Sequence, residues 1–327
     1  MLAILATGCS TPIGIRIADP REVQRYLTRS ALTEDVPSDF SLNELRRYDL
    51  LETYEREPKT ALAKLHTAAL AEDFPKGALF ALSELWFLHA QEDDERAGYA
   101  AAGVYAWALL FPEEGREPLG RLDPRERIAA DLYNRALTSL FRRNEQGTIA
   151  LAGGAPIEMP FGRITVSHAP DLLKQEGVEL HDLQAVAELE VRGLRNRYRQ
   201  PGIGAPLAAK TLPQPGVTQV VSLGPLMRIP LTAVARIDTP LAGLRSGELN
   251  AHAILLPSLD VDTVEIGSRQ VPLEAEPTAA LAATLAESRF WKSELQGLRG
   301  EARGGGGPCA VVGVRPYMSG RIPVVFV

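Results

Sequence analysis

Candidate general bases and metal ligands include five histidines: His66, His89, His168, His181 and His252. None belongs to a His-Glu-x-x-His pair and none stands at zinc-finger spacing from a cysteine, so no metal site is expected. His66 and His89 fall beside apolar helical stripes, where a hydrogen-bonded core or boundary histidine is the ordinary outcome. His181 precedes Asp182, which has the composition of half a catalytic dyad. Neighbouring side chains on an extended chain point to opposite sides, which argues against their contact. There is no Gly-x-Ser-x-Gly, hence no nucleophile elbow. Gly304-Gly305-Gly306-Gly307 lacks the Lys-Ser/Thr of a P-loop and, with Pro308, reads as a flexible linker. Pro201-Gly202-Ile203-Gly204-Ala205-Pro206 lacks the third glycine of a dinucleotide fingerprint. No catalytic residue, cofactor or metal ligand is therefore assigned.

Two charged clusters stand out. Arg192, Arg195, Arg197 and Arg199 surround Tyr198 and could hold a phosphate or carboxylate; the simpler expectation is a basic loop paired with acidic neighbours. Glu92-Asp93-Asp94-Glu95 lacks the glycine and spacing of a calcium loop and reads as a solvated turn between helices. Overall, 35 Lys+Arg against 41 Asp+Glu leave a net charge of −6. That balance provides no field for nucleic acid. The chain has 327 residues, 45% hydrophobic and 23% charged, the proportions of a globular protein and enough for roughly two domains. Two cysteines, Cys9 and Cys309, exclude a disulfide scaffold. No apolar run approaches the ~20 residues of a membrane-spanning helix.

Cys9 follows a short apolar stretch, Met1 to Gly8, and small residues. Ala6-Thr7-Gly8-Cys9 resembles the lipobox of bacterial lipoproteins. That resemblance implies a thioether-linked lipid on Cys9 and attachment in the cell envelope, on the periplasmic side of the outer membrane. The alternative is a buried N-terminal strand with an inert cysteine.

The elements that must position these residues differ between the two halves. From about Ser41 to Phe141 the pattern is helical. Leu62, Leu65 and Ala69 share one stripe, Leu79, Leu82, Trp86 and His89 a second, and Ala100, Val104, Trp107, Ala108 and Phe111 a third. Pro75-Lys76-Gly77 punctuates the first pair into a hairpin. Asp123-Pro124-Arg125-Glu126 is a helix start in which Asp123 can accept the N3 amide and Glu126 can bond back to the cap. The helix that follows is apolar on several sides and is expected to be central in its bundle. The Ala-rich helix pairs are similar to tetratricopeptide repeats, although no 34-residue self-match appears. Bundle packing accounts for Trp86 and Trp107. After Gly147 the period becomes two: Ile164 and Val166; Ala185 to Val191; Ile229 to Ile237; Leu249 to Leu255. Thr263 to Ile266 and Gln270 to Leu273 flank a hairpin turn. A helix opens at Glu276-Pro277-Thr278 and runs to about Trp291. The expectation is an α+β chain: residues 1–20 a lipoprotein signal and tether, 21–147 a tetratricopeptide-like α-helical domain, 148–300 a β-sandwich-like module with a C-terminal helix, and 301–327 a Gly-rich linker and strand.

That last strand carries a second resemblance. Arg321-Ile322-Pro323-Val324-Val325-Phe326-Val327 looks like the strand that precedes the His-Gly oxyanion loop of α/β-hydrolases. The lipobox, helices and β-module resemble the long N-terminal region of bacterial lipoprotein α/β-hydrolases, with Tyr99 to Phe111, Asp123 to Leu137, Gln200 to Leu207 and Val271 to Ala283 carrying the likeness. The resemblance implies that the chain is the accessory region, anchor or cap, of a membrane-anchored serine hydrolase acting on esters or related acyl substrates. Its partner would be its own C-terminal catalytic domain, which would supply the serine, histidine and acid. The competing reading is a non-catalytic periplasmic lipoprotein scaffold that binds a protein partner.

Overall fold

A computed structural model describes residues 14–120, 122–143, 147–150, 155–175, 177–214 and 228–287. The helices come first: α1 (Pro20–Thr28), α2 (Asp39–Arg47), α3 (Leu51–Arg56), α4 (Pro58–Ala71), α5 (Lys76–Asp93), α6 (Arg96–Leu110) and α7 (Pro124–Leu140). The predicted stripe on α4 marks a real face, since Leu62, Leu65 and Ala69 are buried while Ala63 and Lys64 are exposed, and Leu79, Leu82, Trp86 and Trp107 are buried too. The central helices are α5 and α6, however, and not α7. Residues 78–90 and 98–110 are buried on every side, whereas α7 exposes Arg127 and Arg135. Small residues permit this: a Cβ on Gly98 would stand 2.8 Å from the Ala90 Cβ. Ser83 Oγ donates to the Ala102 carbonyl at 3.0 Å, so α5 and α6 run antiparallel at close range.

The α7 cap differs from the sequence reading in two respects. Asp123 caps α7 by accepting from the Arg125 amide at 3.0 Å, one residue short of the expected N3. Glu126 does not bond back, and it faces Arg269 at 3.4 Å. A charge is also sunk into the bundle. Glu84 is fully buried and accepts from Ala31 N, Ser38 N, Ser38 Oγ and Ser41 Oγ at 2.5–3.0 Å. Four donors replace its hydration and tie the segment before α2 to α5.

The β elements are β1 (Arg142–Arg143), β2 (Ile149–Ala150), β3 (Ile157–Met159), β4 (Gly162–His168), β5 (Lys174–Gln175), β6 (Val178–Ala185), β7 (Ala205–Pro213), β8 (Arg228–Ile237) and β9 (Glu248–Pro257). They form one mixed sheet in the order β1-β2-β6-β7-β8-β9-β4-β3, with β5 also on β6. All pairs are antiparallel except β4 with β9. Helix α8 (Pro240–Ser246) joins β8 to β9, and β10 (Thr263–Ile266) pairs with β11 (Arg269–Pro272) as the expected hairpin. Helix α9 spans Pro277–Glu287. Gly162 and Gly247 touch where β4 and β9 begin: a Cβ on Gly162 would fall 2.1 Å from the Gly247 carbonyl oxygen.

Two expectations for this half change. Residues 185–191 are not a strand, because β6 ends at Ala185 and Val186–Glu188 is a 3-10 turn. Among the described residues, the β-sandwich is replaced by one nine-stranded mixed sheet beside the separate β10–β11 pair, and helices of the first half pack against the large sheet. One hydrophobic core runs from Leu45 through α4–α7 to Ile164, Ile237, Ala251 and Leu273. The fold is therefore mixed α+β, and the described residues up to Thr284 make a single compact unit. Cys9, the glycine run 304–307, Cys309 and the strand 322–327 fall outside the described residues.

Candidate functional site

Three side chains dock the helices onto the sheet. Where β7 ends, the outer backbone groups of β8 lose their ladder partners. Tyr133 Oη replaces them, donating to the Ala235 carbonyl at 2.7 Å and accepting from the Ala235 amide at 2.9 Å. Next to it on α7, Asn134 donates to the Gly202 carbonyl at 3.0 Å and accepts from the Gly204 amide at 2.6 Å. From α6, Trp107 Nε1 donates to the Ile237 carbonyl at 3.0 Å. Burial pushes the Tyr133 phenol up, beyond what its bond to the Ala235 carbonyl offsets, so the hydroxyl stays neutral.

Between those clamps the layers do not fill. Ala100 and Gly103 on α6 face Ala233 and Ala235 on β8 and Ala251 and Ala253 on β9. Their side chains are too short to meet, and a cavity of ≈ 230 Å³ remains, partly open to solvent. Leu137 and Leu140 of α7 and Ile164 and Val166 of β4 complete apolar walls, with Arg96, Tyr133 and His168 the ionisable groups in the lining. Arg96 Nη2 donates to the Leu140 carbonyl at 3.0 Å, and His168 Nδ1 is 2.8 Å from the Ala169 carbonyl. Such a space accepts an apolar chain. It offers no nucleophile beside a base. The alternation of Ala233, Ala235, Ala251 and Ala253 is visible in the sequence, but the register that puts these small residues opposite α6 is not.

The other histidines are dispersed. His66 Nδ1 is 2.6 Å from Tyr105 Oη and its ring stacks on Phe161. Burial lowers the His66 pKa and raises that of Tyr105, so this is the hydrogen-bonded boundary histidine expected. His89, in contrast, has no hydrogen-bond partner on either ring nitrogen. His181 stands in register with Lys210. Asp182 occupies a bulge with φ 50° and is bound by Lys210 Nζ at 2.7 Å, Arg228 Nη2 at 2.6 Å and Thr148 Oγ1 at 2.7 Å. Burial raises its pKa, but bonds from Lys210 and Thr148 and the charges of Arg228 and Lys210 outweigh that and bring it down to about 2. Asp182 is thus a structural counter-ion, not the acid of a dyad.

A serine–histidine contact escapes the sequence entirely. Ser167 Oγ is 2.9 Å from His252 Nδ1 across the parallel β4–β9 pair. Among the described residues no carboxylate orients His252, so the pair lacks the third member of a triad. Three of the four arginines are paired, as in the simpler expectation: Arg197 with Glu276, Arg199 with Glu274 and Arg192 with Glu190. Glu274 and Glu276 are buried, so these guanidinium groups neutralise interior charge. No helix among the described residues is long and apolar enough to cross a membrane. Compared with protein-family models, curated proteins and solved structures, the chain matches none of them.

Proposed function

We propose that this chain is the accessory region of a membrane-anchored α/β-fold serine hydrolase acting on esters or related acyl substrates, and that its cavity receives the substrate's acyl chain. The cavity carries this reading. Its ≈ 230 Å³ exceeds the roughly 150 Å³ at which a dry apolar void takes up benzene. It is smaller than the ~300–1,000 Å³ of pockets for drug-sized ligands. That range suits a short acyl chain, each buried methylene contributing about 0.8 kcal/mol. In this reading Cys9 is the lipid anchor in the cell envelope, α6 and α7 of the tetratricopeptide-like helical region frame the cavity, and residues 322–327 are the first strand of the catalytic domain. That domain is the partner and supplies nucleophile, base and acid, in keeping with a Ser167–His252 pair that has no acid.

Titrating the full chain with octanoate by calorimetry tests the proposal. Saturable one-to-one binding is expected, with loss of binding on Ala253→Phe, which fills the cavity, at an unchanged melting temperature. No turnover of short acyl esters is expected. Absence of octanoate binding to the wild-type chain would overturn the acyl-pocket reading and leave the protein-binding scaffold.

A further inference from the structure

The corner between α5 and α6 gathers three metal-ligating side chains that the acyl reading does not use. His89 is on α5 and Asp93 one turn later, on the same face. Asp94 adopts φ 50° and reverses the chain, so Glu95, the N-cap of α6, folds back over that last turn. One ligand atom from each of His89, Asp93 and Glu95 comes within 4.8 Å of the others.

The imidazole at this corner is unmet. His89 is 9% exposed, and neither of its ring nitrogens has a hydrogen-bond partner. Glu95 Oε2 is buried and makes no hydrogen bond, with Lys59 Nζ in ion-pair range. His89 Nε2 stands 3.7 Å from Glu95 Oε2, too far for a hydrogen bond. Two ligands on one tetrahedral zinc, each about 2.0–2.2 Å from the ion, are separated by about 3.4 Å. The observed spacing is thus close to that of ligands sharing an ion. Asp93 is exposed, which leaves a path from solvent.

We infer that His89, Asp93 and Glu95 form a binding site for a divalent transition metal of the zinc class, with water completing its shell. One neutral imidazole and two carboxylates balance the +2 charge. A nitrogen in the set favours zinc over calcium or magnesium, which select all-oxygen shells. Bound there, the ion pins α5 to α6 across their connection. Lys59 Nζ, 3.2 Å from Glu95 Oε2, is the competing cation. Its side chain is 58% exposed and can swing away.

Equilibrium dialysis of the full chain against ZnCl2, with metal analysis and thermal melts, tests the site independently of octanoate binding. One bound equivalent is expected, with a melting temperature raised by zinc and restored by chelator. Asp93→Asn, an exposed change, should weaken uptake roughly tenfold or more, and Lys59→Met should strengthen it. His89→Gln should abolish it. No uptake by the wild-type chain, or uptake indifferent to both Asp93→Asn and His89→Gln, overturns the assignment.

Discussion

Asp182 shows how one residue can mislead by its neighbour in sequence. Beside His181 it has the look of catalysis; in the fold its carboxylate faces Lys210, Arg228 and Thr148. Arg228 is almost wholly buried, and a buried guanidinium without a counter-ion is costly. The folded pKa of about 2 lies below the unfolded value of 3.8. The stability this confers is therefore fully present above pH 3.8 and is lost as pH falls through 2. At about 1.4 kcal/mol per pH unit the full difference is about 2.5 kcal/mol; solvent screening of this partly exposed carboxylate reduces it, so Asp182→Asn should cost about 1–2 kcal/mol at pH 7. Urea unfolding of the two proteins at pH 7 and again near pH 2 measures this, and the difference should shrink in acid. A constant difference at both pH values would mean the carboxylate's charge is not what stabilises the bulge.

At the scale of elements, the helix faces and the strands β8 and β9 are legible because their periodicity is local: Leu79, Leu82 and Trp86 repeat every turn, and Ile229 to Ile237 alternate. What is not local was not legible. Residues 185–191 have strand composition, yet the chain leaves the sheet at Ala185, where Val186 turns in against Ala208 and Ala279. The choice between a sandwich and one sheet depended on the parallel β4–β9 pair, whose partners are 85 residues apart. The clamps were equally invisible, since nothing around Tyr133 or Asn134 announces a backbone edge more than 60 residues away. Tyr133→Phe tests one clamp while keeping its shape. It strands the Ala235 amide and carbonyl together, at about 1–3 kcal/mol for an unsatisfied buried group. Hydrogen exchange should report faster loss of protection at Ala235 than at Leu231, which keeps its ladder to Leu207. Equal change at both positions would show that the hydroxyl acts on global stability and not on the edge of β8.

For the molecule as a whole, the decisive feature is that the two halves share a core, beside a smaller one that the sheet builds from Leu180, Leu183, Leu207, Leu231 and Leu255. The central helix α6 buries Ala100 and Val104 toward the cavity, and Trp107 reaches Ile237. The sheet in turn offers Ala233, Ala235, Ala251 and Ala253, residues too small to close a core by themselves. This is why the cavity could not be found by reading either half: its walls come from segments as distant as Arg96 and Leu255. It also bears on the expected boundary between residues 147 and 148. An independent helical domain would melt separately from the sheet, whereas a shared core must unfold as one. Trp86 and Trp107 are buried in the helices and give a fluorescence signal for that half; a cysteine-linked dye at the exposed Leu259, beside β9, reports the other. Superimposable denaturation curves from the two probes are expected. Two resolved transitions would give the helices a domain of their own, and would reduce the cavity from part of the core to a seam between neighbours.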